Sequence, residues 1–284
     1  MTTIKIMFQN VQARADVEGR WPGHVEVVKE EDPDLLILTE VEWLADEVKR
    51  KRVEIALGMH LMVGPTRNLN TAVAWRRDGV LEFEDCDVTY AHELHHGYTA
   101  PRFKVAVTID GKRKELTLVA IGTHLSPYSV LTAAQEASLL CARVYRCGGL
   151  GLICGDINHC PVFIDGESQP PWEQVQPYNR ASRCLRRTSE SDAWVGNELV
   201  GQTLRDGGLT DVAAHMAMRT GDMTLLHPTG KAGLVRVDQA HVTAALTRAI
   251  TEYHRVDNPH SDHYGGAFTL RLDRADLSLL REYS

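Results

Sequence analysis

Residues 151–158 read Gly-Leu-Ile-Cys-Gly-Asp-Ile-Asn, a short apolar run that stops on Gly155-Asp156-Ile157-Asn158. An apolar run of this length suits a strand buried on both faces, and Asp and Asn directly after it suit a tight turn. The same pattern recurs along the chain. Apolar runs at 4–8, 35–38, 72–75, 103–109, 116–121, 235–242 and 267–272 are likewise expected to be strands. Polar groups gather where these runs stop. Asn10 follows 4–8, Thr39-Glu40 follows 35–38, Thr123-His124 follows 116–121, Asp238 sits inside 235–242, and Ser261-Asp262-His263 precedes the last run. One such Asp or Asn is ordinarily a turn residue. Six junctions that all supply groups able to handle metal, protons or phosphate are not explained by turn chemistry.

Helical patterns lie between the runs. Over 129–145, Ala133, Ala137, Leu140 and Val144 fall on one face, with Pro127 at the entrance. A second helix is expected over 23–31, stopping before Asp32-Pro33 because the residue before a proline avoids helical angles. A third follows Trp43. Strands mixed with helices in this way indicate a layered α/β protein with sheets in the core and helices outside. No repeat, linker or shift of composition divides the chain, so a single domain over 1–284 is expected. The stretch 160–200 stands apart. It holds Pro161, Pro170, Pro171 and Pro177 with Trp172 and Tyr178, then Arg180, Arg183, Arg186 and Arg187. It reads as a long loop or insertion within the domain, either a binding loop or a surface elaboration.

Of the 284 residues, 43% are hydrophobic and 24% charged, which excludes disorder, collagen and coiled coil. With 31 Lys and Arg against 38 Asp and Glu, the formal charge of −7 argues against a protein that grips nucleic acid by bulk charge. No run approaches the roughly 20 apolar residues of a membrane span, and the opening MTTIKIMFQN is not a basic-then-apolar leader. A soluble, cytoplasmic protein is expected. The six cysteines, Cys86, Cys141, Cys147, Cys154, Cys160 and Cys184, have neither C-x-x-C nor zinc spacing and are read as free thiols.

Taken together, the polar groups suggest a chemistry. Glu40, Asn10 and a further carboxylate would offer hard oxygen ligands, suited to Mg²⁺, Mn²⁺ or Ca²⁺ rather than zinc. Asp156 and Asn158, on one turn, would orient and deprotonate a water, and His263 would hold phosphate oxygens. Such a set suits attack of water on a phosphate ester.

The ordered set Asn10, Glu40, His124, Gly155-Asp156-Ile157-Asn158, Asp238 and Ser261-Asp262-His263 resembles the endonuclease/exonuclease/phosphatase family, also called DNase I-like. The resemblance covers nearly the whole chain, and the GDIN and SDH pieces are its most specific parts. The family usually has Gln before its metal-binding Glu, where this chain has Thr39. The resemblance implies a four-layer α/β sandwich, two packed mixed sheets flanked by helices, and hydrolysis of phosphoesters with Mg²⁺ or Mn²⁺. It implies that Glu40 is the principal metal ligand, with Asn10 beside it and Asp262 as a further ligand. Asp156 and Asn158 would activate and orient the water, Asp238 would fix the tautomer of His263, and His124 would stabilise the phosphorane or protonate the leaving oxygen. Arg102 sits where several members place a phosphate-contacting Arg. Some members back the first histidine with a carboxylate near the strand at 72–75; here the residues are Asn68, Leu69 and Asn70.

Arg180, Arg183 and Tyr178 are candidate substrate contacts within the 160–200 stretch, with Trp172 and the neighbouring arginines as stacking and phosphate-holding groups. His92-Glu93-Leu94-His95-His96 matches H-E-x-x-H, but Gly97 and Pro101 follow at once, so a polar loop at the rim of the cleft is expected instead of a zinc helix. The expected activity is a nuclease or phosphodiesterase acting on nucleic acid. A phosphatase for a small-molecule or lipid phosphate is the alternative, and a non-catalytic binding module a weaker one. The Tyr and Asn context that usually marks an abasic-site endonuclease is not evident, Tyr128 being the only tyrosine nearby.

Overall fold

A computed structural model describes residues 2–109, 111–146 and 149–281. The elements in chain order are β1 (Thr3–Asn10), α1 (Trp21–Glu31), β2 (Leu35–Thr39), α2 (Glu47–Leu57), β3 (Met59–Val63), β4 (Thr71–Arg76), β5 (Glu82–Asp87), β6 (Tyr98–Ile109), β7 (Lys112–His124), α3 (Val130–Tyr145), β8 (Gly151–Asp156), α4 (Pro177–Arg183), α5 (Leu199–Asp206), β9 (Leu209–Asp211), α6 (Val212–Thr220), β10 (Asp238–Thr243), β11 (Ile250–Val256) and β12 (Gly265–Arg271). They form two six-stranded sheets, ordered β11-β12-β1-β2-β4-β3 and β5-β6-β7-β8-β10-β9. Each is mixed, with one parallel pair near its centre: β1 with β2, and β7 with β8. The expected four-layer α/β sandwich is therefore the fold of the chain.

Both faces of the central strands are covered, which is why their sequences read as near-continuous apolar runs instead of alternating ones. Ile4, Ile6 and Phe8 of β1 and Leu35 and Ile37 of β2 meet Phe103, Leu118, Ala120, Leu152 and Cys154 of the opposite sheet. Their neighbours Met7, Leu36 and Leu38 face outward onto Val28 of α1 and Val53 of α2. On the far side, Val119, Ile121 and Ile153 pack under α3 and α5 through Ala133, Ala137, Leu140 and Leu204. Ser129 caps α3, its side chain accepting the Thr132 N–H.

All eight expected strands are present. Four more, β3, β5, β9 and β11, were not foreseen, and these are the four sheet edges. Edge strands carry polar residues, as Glu82-Phe-Glu-Asp-Cys-Asp87 of β5 illustrates, and a search for buried runs passes over them. The run at 235–242 joins the sheet only from Asp238. The Val237 and Asp238 N–H groups both donate to Thr229 Oγ1, while Val235 and Val237 leave the ladder to pack with Cys160, Trp172, Val175 and Cys184. That small cluster, with α4, gives 160–200 more structure than a plain loop. It also buries Trp172, which is therefore not a stacking surface for substrate. The five described cysteines are free thiols, and Cys147 lies outside the described residues.

Candidate active site

The carboxyl ends of the two parallel pairs converge. In one sheet Asn10 lies beside Thr39, so Glu40 follows immediately; in the other His124 lies beside Asp156. Asp238, opening β10, is opposite Asp156. Strand ends therefore deliver five of the candidate groups to one crevice. Two candidate residues just beyond strand ends are unusual: Glu40 and Asn158 have φ of 64° and 62°, left-handed values that cost energy for residues other than glycine. Gly155 has φ of 141°, and a Cβ there would lie 2.0 Å from the Thr123 carbonyl oxygen. Only glycine lets β8 bring Asp156 so close to the end of β7.

Asn10 ties the two sheets together. Its Nδ2 donates to Glu40 Oε1 and to Asp156 Oδ2, each at 3.0 Å, and its Oδ1 accepts the Gln12 N–H at 2.9 Å. It thus presents its amide nitrogen to the two carboxylates and serves as their clamp, with its oxygen already engaged. Ala13 N donates to Glu40 Oε2 at 2.8 Å, and Asn158 N donates to Asp156 Oδ1 at 2.9 Å. The serine of SDH completes the frame, Ser261 Oγ donating to the Asn10 carbonyl at 2.7 Å and accepting the His263 N–H at 3.1 Å. Asp238 Oδ2 is 2.7 Å from His263 Nδ1, which fixes the ring and leaves Nε2 as its other polar atom.

The electrostatics follow from crowding carboxylates in a buried space. Burial raises the Asp156 carboxyl, but His124, His263, Arg183 and the Asn10 bond outweigh it and hold the group below its usual range. Burial, together with the nearby Asp156 carboxylate, raises Asp238 despite its His263 partner. Burial lowers His263, yet Asp238, Asp156 and Asp262 overcome that and lift it to about 10. Within the pair, the proton therefore rests on the imidazole. Glu40, His124 and Asp156 bring one ligand atom each within 4.8 Å of one another, and so do Asp156, Asp238 and His263. Two carboxylate oxygens and an imidazole, oriented by fixed donors, form a donor set that could hold a metal ion.

The other candidates are placed differently. Asp262 is exposed, and its carboxylate belongs to neither group. Arg102 pairs with Asp85 of edge strand β5 and lies four residues along β6 from Tyr98, the residue that faces Thr123. Tyr178 is 71% exposed on α4. Arg180 contacts Trp172 O and Glu173 and lies over the Trp194 ring. Arg183 is buried and points inward: Nε donates to Asn158 O and Nη2 to Asn158 Oδ1 at 3.2 Å. Asn158 Nδ2 donates to Leu125 O, so its amide is held from both ends.

Three further residues matter. The His96 ring stacks on His124 with centroids 4.1 Å apart and planes 29° apart. The H-E-x-x-H segment therefore lines the cleft, as a loop, in keeping with Gly97 and Pro101. Glu136 of α3 braces that loop, accepting from His95 N and Ser126 N. Asn70 donates to Gly64 O and does not back His124, whose Nδ1 has no hydrogen-bond partner among the described residues. Arg20 is the third. Its guanidinium donates to the carbonyls of Val11, Gln12, Ala13 and His260, binding the loop that serves Glu40 to the SDH loop. Arg20 carries no sequence signal beyond its charge.

This architecture is the DNase I-like fold, shared with nucleases and phosphatases. Among solved structures, the AP endonuclease LMAP from Leishmania major matches with a TM-score of 0.64 and 12% identity, over 95% of this chain and 88% of that one. D. rerio TDP2 complexed with single-strand DNA product matches at 0.60 and 13% identity, over 95% and 100%. ANGEL2, a 2′,3′-cyclic phosphatase, matches at 0.58 and 13% identity, over 96% of each chain. No protein-family model matches the chain, and no curated protein matches it in sequence. Among the described residues, no helix is long and apolar enough to cross a membrane.

Proposed function

We propose that this chain is a Mg²⁺-dependent phosphodiesterase of the nuclease type that cleaves nucleic acid by direct attack of water, working as one catalytic domain with 160–200 inserted in it. The supporting observation is the convergence of Glu40, His124, Asp156, Asp238 and His263 on one crevice from strands far apart in sequence. Glu40 would be the principal ligand of the cation, with Mn²⁺ as a substitute; bound there, it would neutralise the phosphoryl and leaving oxygens. Asp156 is ionised and accepts the proton of the attacking water. Asn158 N fixes the orientation of that carboxylate, and Asn10 does so from the other side. Protonated His263, held by Asp238, donates Nε2–H to a non-bridging phosphate oxygen. His124 stands beside Asp156, its Nε2 3.7 Å from Oδ2, where it can stabilise charge on the phosphorane or leaving oxygen.

A phosphatase for a small or lipid phosphate is the second reading, favoured by the formal charge of −7 and by the cyclic phosphatase among the structural neighbours. Turnover of single-stranded and duplex DNA, RNA, nucleotides, inositol phosphates and lipid phosphates in Mg²⁺ and Mn²⁺, with Glu40→Ala as the blank, separates the two. Asp156→Ala should lose about 100- to 1,000-fold in kcat, the scale of removing one preorganised electrostatic group. Wild-type rates in that variant would sink the site assignment.

A further inference from the structure

The outer face of the 160–200 segment carries a second basic feature that the chemistry at Asp156 does not use. A cavity of about 570 Å³ opens there, lined by Arg180, Leu185, Arg186, Arg187 and Trp194, with Glu190 the one acid in its wall. Arg187 and Arg180 both lie over the Trp194 ring, 3.7 and 4.9 Å from its centroid. A guanidinium held over an aromatic ring and tied at one nitrogen is already ordered and loses little rotamer freedom on binding. Arg180 Nε has no hydrogen-bond partner among the described residues, although its side chain is only 18% exposed. Arg186 is exposed at the lip, and Leu185 is 48% exposed beside it. Two ordered cations over Trp194, the exposed Arg186 and an apolar ledge form a site for a phosphate with a flat ring attached.

The location gives it meaning. Arg183 leaves α4 inward to hold Asn158, whereas Arg180, three residues earlier, leaves toward the pocket. One short helix thus links the catalytic turn to an anion site outside it. We propose that this pocket is a subsite for a flanking, uncleaved phosphate and its unpaired base in a single-stranded nucleic acid whose scissile phosphate lies at Asp156. The inference rests on the reading of the chain as a hydrolase of nucleic acid and narrows it to a substrate with more than one phosphate. A small monoester has nothing to place there.

Binding of a fluorescein-labelled single-stranded oligonucleotide, followed by anisotropy in the Asp156→Asn protein so that the strand stays whole, tests this. Arg187 also supports its own loop through the Glu190 and Asp192 carbonyls, so Arg186→Glu and Trp194→Ala are the chosen variants. Each should raise Kd by about tenfold at 0.1 M salt, and Arg186→Glu should lower the slope of log K against log salt by about 0.7, the loss of one phosphate contact on a single strand. Trp194→Phe, which keeps an aromatic face, should recover most of the affinity. Unchanged Kd and slope in both variants, with unchanged thermal melts, would overturn the pocket assignment alone if the wild-type protein cleaves the strand. If the wild type neither binds nor cleaves any strand but hydrolyses small phosphate esters, the nucleic-acid reading falls as well.

Discussion

Replacing Arg183 by methionine separates two roles that an arginine in this segment can have. If the guanidinium gripped substrate, its loss would raise KM and leave the fold alone. In the structure it is 7% exposed and makes two bonds to Asn158, itself 5% exposed and held at positive φ. Charge-assisted bonds of this kind are worth about 1.5–3 kcal/mol each, and the one at 3.2 Å falls at the weak end. Burial pushes the Arg183 pKa down despite the nearby Asp156 and Asp238 carboxylates, so removing the cation also returns some desolvation cost. Methionine fills much of the aliphatic volume and keeps the cavity term small. A net loss of about 3 kcal/mol remains, and at roughly 2–4 °C per kcal/mol for a chain somewhat shorter than this one, Tm should fall by about 6–12 °C. Well below that melt, turnover of bis(p-nitrophenyl) phosphate in Mg²⁺ should drop at least about tenfold in kcat, since a small displacement of a catalytic turn is costly. A variant that melts within a degree of wild type and loses only KM would refute the anchoring role.

Three other outcomes are expected. Arg20→Met should weaken Mn²⁺ binding, read by electron paramagnetic resonance, by about 10- to 100-fold, because the four carbonyls it gathers position Glu40 and the SDH loop; an unchanged Kd would argue against that coupling. His96→Ala should reduce kcat about tenfold with KM unaltered by freeing the His124 ring, while His96→Phe should restore most of it; equal rates in the two variants would remove stacking from the account. Acid should destabilise the fold through two buried histidines. Burial, followed by the Arg20 and His260 charges, lowers His24 to about 4, and burial does the same to His241. These groups stay neutral in the fold but take up a proton near pH 6.5 when unfolded, so stability is intact above that pH and is lost as pH falls toward 4, by up to roughly 3 kcal/mol for each. A urea midpoint that is flat from pH 7 to 4.5 would contradict this.

What was legible in the chain had a physical basis. Strands β1, β2, β4, β6, β7, β8, β10 and β12 are interior to their sheets, and covering both faces writes an apolar run into the sequence. The edges β3, β5, β9 and β11 are half solvated and leave no such mark. The catalytic candidates could be read because a polar group at the end of a buried strand is conspicuous. Residues that act through another side chain were not legible in this way. Arg20 and Arg183 gain their roles from carbonyls supplied by distant loops, and His96 from a ring at the far end of β7. In the sequence the arginines from 180 onward read as candidate substrate contacts; burial and direction, which only the fold provides, turn Arg183 inward.

The two directions taken from α4 have a consequence for how this scaffold can change. Residue 183 faces a carbonyl and an amide that nearly any substrate would leave in place, whereas residues 185 and 186 face open space. Under the proposed function, drift on the outer side can therefore retune selection without disturbing the Asp156–Asn158 turn, provided a single inward guanidinium is retained. Excision of the whole segment has no such freedom: it would take the brace away together with the recognition surface. Swapping outer positions one at a time, rather than trimming the loop, is the route by which a chain of this design could acquire a new substrate and remain an enzyme.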